Sequence, residues 1–414
     1  MVWKISAYFS TVWKIFFHAV ENLEPRVPAW GAGAALALLF SAGAGAAEAP
    51  AIERLAIWCE FLPYAAVRAE LPALAKYDCD LILHVEAGSF SDPDFPKLLR
   101  AAERAGVGVD AWLLLPYEDH LYVGQASVAA TKKLARAAAD YFRTNDLRVR
   151  AFVFDCEPSP VLGRDLFAAA REGSLRGLAA VLRDQLDPAA FRRDTAQINA
   201  LAAELRRKGY AVDGAANRAF LDAQDRGNVA LEDALNAPVS GVAWDALSFI
   251  AYRYQKSQPA YVGMLNRCAT LAKRLYGARA AIDLGLLGDY DRIPENRERA
   301  ERFGGGAAFY DYLRGMRSVF DLEEAAGAVL GCGVRRVNLY ALDGAVASVA
   351  GLDNWLKAAR RARPLPAFAR WTPGRSLQYG AQGALMENVF RWMVGGSEKS
   401  HGKIEFRQPA GDPG

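Results

Sequence analysis

Arg148-Val149-Arg150-Ala151-Phe152-Val153-Phe154-Asp155-Cys156-Glu157-Pro158 is an apolar, aromatic and β-branched run that stops at two carboxylates and a proline. This pattern predicts a buried strand whose C-terminal end leads into an open, polar region of the protein. Residues two apart in a strand project to the same side. Asp155 and Glu157 should therefore point together, while Phe154 and Cys156 face the opposite side.

Two carboxyl groups held this close repel each other, so one of them tends to keep its proton near neutral pH. A protonated acid beside an ionised partner is the arrangement that cleavage of a glycosidic bond requires. The simpler alternative is that Asp155 and Glu157 are solvated side chains at the end of a strand.

Strand-like and helix-like segments alternate on both sides of this stretch. Counting it as the fourth strand, the others are predicted at residues 55–60, 79–86, 107–116, 209–217, 244–252, 279–287 and 334–342. Helices are predicted at residues 65–76, 93–105, 128–143, 164–207 with a break at Asp187-Pro188, 261–276, 309–331 and 352–361. Eight such strand–helix units predict an α/β fold, a (β/α)8 TIM barrel over residues 51–362, with an open doubly wound sheet as the competitor.

The two ends of the chain are predicted to lie outside the barrel. Residues 27–47 are uncharged and end in small residues, which is typical of a secretory signal, so we predict residues 1–47 to be a signal peptide or membrane anchor. The long region before the apolar run also allows translation to start downstream. Residues 363–396 are predicted to be an irregular extension and residues 397–414 a disordered tail.

The composition narrows the class of protein. The 414 residues carry a net charge of only +3 and no basic stripe with interleaved aromatics, which argues against a nucleic-acid-binding protein. The five cysteines have no zinc or redox spacing and lie in or near apolar runs, which favours buried thiols, with one bridged pair as an alternative. We expect an exported monomer without a cofactor.

In a TIM barrel the active site lies at the C-terminal ends of the strands, and this chain carries polar and aromatic residues there. The candidate substrate-binding residues are Glu60, Glu86, Trp112, Tyr117, Glu118, Asp119, His120, Asn217, Arg253, Tyr340 and Asp343. Carboxylates near aromatic side chains, which include Trp58 and Tyr122, favour a sugar site over a phosphate site. The predicted partner is therefore a polysaccharide or oligosaccharide.

Simpler roles compete with several of these assignments. Glu60 and Glu86 could pair with arginines, because charges buried in a barrel mouth are usually paired. His120 could be a solvated loop residue, and a metal site built from Glu118, Asp119 and His120 is disfavoured because consecutive residues rarely converge on one ion. No nucleotide-binding glycine motif or serine or cysteine nucleophile signature is evident.

The run Phe152-Val153-Phe154-Asp155-Cys156-Glu157 resembles the fourth-strand end of chitinase-like family 18 glycoside hydrolases, which are (β/α)8 barrels. The resemblance implies that Glu157 is the general acid. It also implies that Asp155 orients the N-acetyl group of the substrate, whose acetamide oxygen is the nucleophile. Phe249-Ile250-Ala251-Tyr252 is similar to the sixth strand of that family, which makes Tyr252 a partner for the acetamide.

The chain also departs from the family pattern. The family motif has further glycine and aspartate residues upstream, where this chain has Arg150, Ala151 and Val153. In the family an aspartate usually follows the sixth-strand tyrosine, and here Arg253 follows Tyr252. The eighth strand of the family usually ends in tryptophan, and here it has Tyr340. The sequence thus predicts an exported glycoside hydrolase. A non-catalytic carbohydrate-binding or envelope barrel and a metal-dependent barrel hydrolase or lyase are the alternatives.

Overall fold

The computed structural model describes residues 51–116, 121–171, 175–253, 257–290, 293–294 and 315–367. The predicted segment 1–47, the loop residues Tyr117, Glu118, Asp119 and His120, the tail 397–414 and all of the predicted extension beyond residue 367 lie outside these ranges. No helix within the described ranges combines the length and the apolar character needed to cross a membrane.

Eight parallel strands close into a barrel in sequence order, and the last strand pairs with the first. They are β1 Arg54–Cys59, β2 Cys79–Val85, β3 Val109–Leu113, β4 Ala151–Cys156, β5 Ala211–Asn217, β6 Ala246–Tyr252, β7 Ala280–Gly285 and β8 Arg336–Tyr340. The predicted TIM barrel is confirmed and the open sheet is excluded, because β1 and β8 are hydrogen-bonded through five register pairs.

Helices follow the strands around the outside. The principal ones are α1 Tyr64–Lys76, α2 Asp94–Ala105, α3 Val128–Thr144, α4 Pro160–Arg171, α5 Leu175–Gln185, α6 Pro188–Arg207, α7 Ala219–Asp225, α8 Ala230–Ala234, α9 Gln258–Tyr276, α10 Val319–Gly331, α11 Leu342–Ala347 and α12 Gly351–Arg361. The helix break predicted at Asp187 is confirmed, since its side chain accepts hydrogen bonds from the first turn of α6. The short helices α7, α8 and α11 were not predicted.

Alternate residues of each strand serve two different cores. Phe152, Phe154 and Cys156 of β4 belong to the large cluster between the strands and the helices. Val153 belongs to a second cluster inside the barrel, together with Trp58 and Trp112. The two-residue period of a strand explains this division, and it places Asp155 on the side opposite to Phe154 and Cys156, which is the inner side of the barrel.

The N-terminal end of the barrel is closed by charged side chains in place of apolar ones. Arg54 contacts Asp110, Asp80 and Asp213, the last two at 3.2 and 3.5 Å. Arg150 binds the carboxylate of Asp110 at 2.8 Å and that of Asp80 at 2.6 Å. We call these five residues the ionic layer. Burial raises the pKa of Asp110 to about 7, while the charge of Arg54 acts in the opposite direction.

All five cysteines are free thiols, so the alternative of a bridged pair is wrong. Four of them are buried and Cys332 is half-buried, which agrees with the predicted role as small apolar side chains.

Candidate active site

Asp155 and Glu157 lie at the C-terminal mouth of the barrel and are almost fully enclosed, with 6% and 8% of their surface exposed. Asp155 is the penultimate residue of β4, and Glu157 follows directly after the strand ends. The backbone N–H of Val123 donates to the carbonyl oxygen of Asp155 at 3.0 Å, which ties this strand end to the segment after β3. The Oδ1 atom of Asp155 has no hydrogen-bond partner among the described residues.

Both carboxyl groups favour the protonated form. Burial raises the pKa of Glu157 to about 8, the negative charges of Glu60 and Asp283 add to this, and a hydrogen bond with the Tyr122 side chain acts in the opposite direction. Burial also raises the pKa of Asp155 well above its ordinary value, with Glu157, Asp283 and Glu60 contributing. A carboxyl group that keeps its proton at neutral pH is able to act as a general acid.

Asp283 supplies a further carboxyl group from the middle of β7. It accepts hydrogen bonds from the Ser248 hydroxyl at 2.8 Å and from the Asn338 amide at 2.7 Å. Burial raises its pKa to about 6, and these hydrogen bonds act in the opposite direction. Asp283 was not among the predicted site residues, although a charged residue inside the apolar run Ala280–Gly285 was a signal that could have identified it.

Glu60 follows β1 and is held from several sides. The hydroxyl of Tyr290 donates to its Oε2 atom at 2.7 Å, and the hydroxyl of Tyr340 donates to the same atom. Asp343 accepts hydrogen bonds from the backbone N–H groups of residues 60, 61 and 62 at 3.0, 2.6 and 2.8 Å. The contacts described for Glu60 are therefore hydroxyl and backbone groups. Tyr290 was not predicted, because no sequence motif marks it.

The predicted residue Tyr252 ends β6 and stacks on Tyr340, with ring centroids 4.7 Å apart and an interplanar angle of 28°. Gly285 of β7 makes this approach possible. A Cβ atom at position 285 would lie 2.8 Å from both the Tyr252 ring and the Tyr340 carbonyl oxygen. A glycine at the end of β7 is therefore required by the packing of the two tyrosines.

We expect Gly285→Ala to lower the free energy of unfolding by about 1–3 kcal/mol, because overpacking forces side chains or backbone to move. The midpoint of urea unfolding measures this change. Gly88→Ala is the matched control, since its Cβ atom would meet the side chain of Glu86 at an ordinary distance, with Oε1 at 3.4 Å and Cδ at 4.0 Å. Equal effects of the two substitutions would contradict the role of Gly285.

Aromatic residues line the interior below the mouth. Trp58 and Trp112 pack edge to face with centroids 5.0 Å apart, and each is only 3% exposed. The ring centroids of His84 and Trp112 are 5.8 Å apart. Burial lowers the pKa of His84 to about 4, so its imidazole is neutral at pH 7. Trp112 thus forms part of the wall of the barrel interior.

Three further predicted substrate-binding residues form hydrogen bonds or ion pairs with neighbouring parts of the chain. Asn217 accepts a hydrogen bond from the backbone N–H of Ala219 at 3.0 Å at the start of α7. Arg253 forms an ion pair with Asp321 of α10. Glu86 precedes a short 3-10 helix, and its backbone N–H donates to Ser89 at 3.0 Å. Their roles in substrate binding stay predictions.

The predicted loop residues Tyr117, Glu118, Asp119 and His120 lie outside the described residues, so their placement relative to the mouth is not described. Within the described ranges, no group of three or more histidine, cysteine, aspartate or glutamate side chains is arranged to hold a metal ion.

No protein-family model and no curated protein matches the chain. The chain is similar to solved structures at low identity, and three of them are named here. The PgaB (BpsB) glycoside hydrolase domain of Bordetella bronchiseptica has a TM-score of 0.45 and 10% identity, covering 76% of this chain and 100% of that one. A chitinase of Chromobacterium violaceum has a TM-score of 0.44 and 12% identity, with coverages of 75% and 98%.

The third is the catalytic domain of a family GH18 chitinase from the fern Peteris ryukyuensis, with a TM-score of 0.41, 13% identity and coverages of 74% and 98%. The fold assignment itself depends on the closed eight-stranded barrel of this chain.

Proposed function

We propose that the protein is an exported glycoside hydrolase that cleaves a polysaccharide with Glu157 as its general acid. The observation that carries the proposal is the buried Asp155–Glu157 pair at the C-terminal mouth of the barrel, where the pKa of Glu157 is raised to about 8. Active sites of TIM barrels lie on this face. A carboxylic acid kept neutral by its surroundings is the group that protonates a departing glycosidic oxygen.

The proposed reaction begins when Glu157 donates its proton to the glycosidic oxygen while the bond from that oxygen to the anomeric carbon breaks. The leaving sugar departs as a neutral alcohol. In an N-acetylated substrate, the acetamide oxygen would attack the anomeric carbon, with Asp155 and Tyr252 orienting the acetamide. Water then completes hydrolysis and returns a proton to Glu157. This second half follows the resemblance to family 18 enzymes.

The test is a hydrolysis screen of the full chain against N-acetylated and plain polysaccharides, with reducing ends and product lengths as readouts. We expect cleavage of one or more N-acetylated polymers. Binding of a polymer without cleavage at any pH would overturn the proposal in favour of a carbohydrate-binding barrel. Loss of cleavage on chelation of metal ions would point to a metal-dependent enzyme that uses the Glu118–His120 loop.

The pH profile provides a separate prediction. We expect kcat/KM to fall as the pH rises through about 8, because Glu157 loses the proton that it must donate. Initial rates on a soluble oligosaccharide between pH 4 and 10 would measure this limb. A fall that is complete below pH 6 would contradict the assignment of Glu157 as the acid.

A further inference from the structure

Glu60 lies at the same mouth as the proposed acid but does not belong to the fourth-strand motif. Its residue surface is 6% exposed, and it follows directly after β1, on the inner side of the barrel with Trp58. The closed barrel brings the ends of β1 and β4 to the same mouth, and the negative charge of Glu60 contributes to the raised pKa of both Asp155 and Glu157. The contacts of Glu60 determine what it contributes.

The carboxylate is held by hydroxyl donors. Tyr290 and Tyr340 both donate to the single Oε2 atom, and the two hydroxyl oxygens are 3.0 Å apart. Each hydroxyl has one hydrogen, so when both donate to Glu60 neither has a hydrogen left for the other. Two donors converging on one oxygen suit an ionised carboxylate, which only accepts hydrogen bonds.

The backbone at Glu60 is fixed as firmly as its side chain. Asp343 accepts three backbone N–H groups from residues 60–62, and His84 forms a hydrogen bond with the backbone of Glu60. Tyr340 also stacks on Tyr252, so the position of Glu60 is linked to the sixth-strand residue of the site. The carboxylate therefore has little freedom to turn away from the mouth.

We propose that Glu60 is a positioning residue of the Asp155–Glu157 site, a fixed negative charge clamped by the hydroxyls of Tyr290 and Tyr340. Its negative charge opposes the ionisation of Glu157, so Glu157 keeps the proton that it donates in catalysis. This role rests on the proposed function for its significance in catalysis, but the electrostatic effect on Glu157 exists with or without turnover.

Other titratable groups act at the same place and must be separated from Glu60. In the described part of the chain, those facing Glu157 or Glu60 are Asp155 on β4, Asp283 on β7, His84 on β2, Tyr340 on β8, Tyr122 after β3, Cys59 on β1, and Tyr290 and Asp343 in the segments after β7 and β8. Of these, the negative charges that raise the pKa of Glu157 are Glu60 and Asp283. Glu60→Gln removes the first of them and keeps an oxygen that can accept hydrogen bonds from Tyr290 and Tyr340.

The test is a titration of Glu157 itself. Protein labelled with carboxyl-13C glutamate is titrated by NMR, and the Glu157 resonance is assigned by its loss in Glu157→Gln. We expect Glu60→Gln to lower the titration midpoint of Glu157 by about one pH unit, because it removes a negative charge that opposes the ionisation of Glu157. Glu60→Asp keeps the charge and should keep most of the raised midpoint.

Tyr290→Phe provides a second variant that leaves Glu60 in place. Without this donor the Glu60 carboxylate is held by the Tyr340 hydroxyl alone among its two clamping tyrosines and can move, so the midpoint of Glu157 should fall in the same direction but by less. Glu103→Gln, which removes an exposed carboxylate partnered by Arg148, is the control and should leave the midpoint unchanged. Circular dichroism establishes that each variant is folded.

An unchanged midpoint in both Glu60→Gln and Tyr290→Phe would overturn the proposal. Equal falls in Glu60→Gln and Glu60→Asp would also overturn it, because the effect would then follow side-chain packing and not charge. The titration requires no turnover, so a protein that cleaves nothing would refute the proposed function while leaving the role of Glu60 to be decided by the midpoints.

Discussion

Glu157→Gln should reduce kcat/KM for glycoside cleavage by about 10²–10⁴-fold, which is the usual contribution of a general acid. Glutamine has nearly the same shape but carries no proton that it can transfer to the leaving oxygen. Because Glu157 is only 8% exposed, the isosteric amide avoids opening a cavity at the mouth. Rates on the best polysaccharide or oligosaccharide from the hydrolysis screen would measure the loss.

The leaving group makes this test sharper. An aryl glycoside with a strongly acidic phenol needs little protonation as it departs, so its cleavage should be reduced much less than that of a natural polymer. A structural role for Glu157 would impair both substrates to the same extent. Glu103→Gln serves as the control that exchanges an exposed carboxylate for an amide far from the mouth. Retention of full activity on the polymer by Glu157→Gln would sink the assignment.

Stability provides a readout of Glu157 that does not depend on activity. Its pKa in the folded chain is raised from 4.5 to about 8, so between these values the native state binds more protons than the unfolded state. The free energy of unfolding of the parent should therefore decrease as the pH rises through this range. Glutamine does not titrate. Glu157→Gln should gain stability relative to the parent between pH 5 and pH 8, as followed by thermal unfolding.

Arg54→Met should lower the free energy of unfolding by about 3 kcal/mol, because it removes a cation from a buried charge cluster. Arg54 contacts three carboxylates of the ionic layer, and the Asp110 side chain is fully enclosed. Methionine keeps much of the apolar stem of Arg54 but not its charge. The cations that remain near the three aspartates are Arg150, which binds Asp80 and Asp110, and Arg336, which lies 3.7 Å from Asp213. Urea unfolding at pH 7 would measure the loss.

Arg335→Met is the matched control, since Arg335 pairs with Glu53 while both side chains remain largely exposed. An exposed pair of this kind contributes less than about 1 kcal/mol. Adding Asp110→Asn to Arg54→Met should recover part of the lost stability, because it replaces the buried carboxyl group of Asp110, which has lost the cation Arg54, by a neutral amide. Similar losses in Arg54→Met and Arg335→Met would show that the ionic layer contributes little.

The pH dependence of Arg54→Met provides a further check of its cause. Burial already raises the pKa of Asp110 to about 7, and without Arg54 its protonated form becomes still more favoured. Protonation removes the repulsion among the aspartates. The difference in stability between variant and parent should therefore shrink as the pH is lowered from 8 to 5. A difference that is constant over this range would exclude an electrostatic origin.

The residue pattern along the chain was sufficient to predict the barrel and one feature of its site. Each strand and most of the long helices were identified because apolar periods of two and of 3.6 residues are local properties. Asp155 and Glu157 were singled out for the same reason, since their projection from β4 follows from the two-residue period. The weakly apolar strand β5 was also predicted, and it pairs with both neighbours through residues 211–217.

Most other features of the mouth depend on contacts between distant parts of the chain. Asp343 caps the backbone at Glu60 across 283 positions, and Tyr290 reaches the Glu60 carboxylate across 230. No local period encodes such contacts, because they form only when the closed barrel brings the ends of β1, β7 and β8 together. Raised pKa values likewise require burial, which the closed barrel creates. The linear pattern therefore specified the barrel and its carboxyl pair, and folding in three dimensions determined which residues surround that pair and hold its protons.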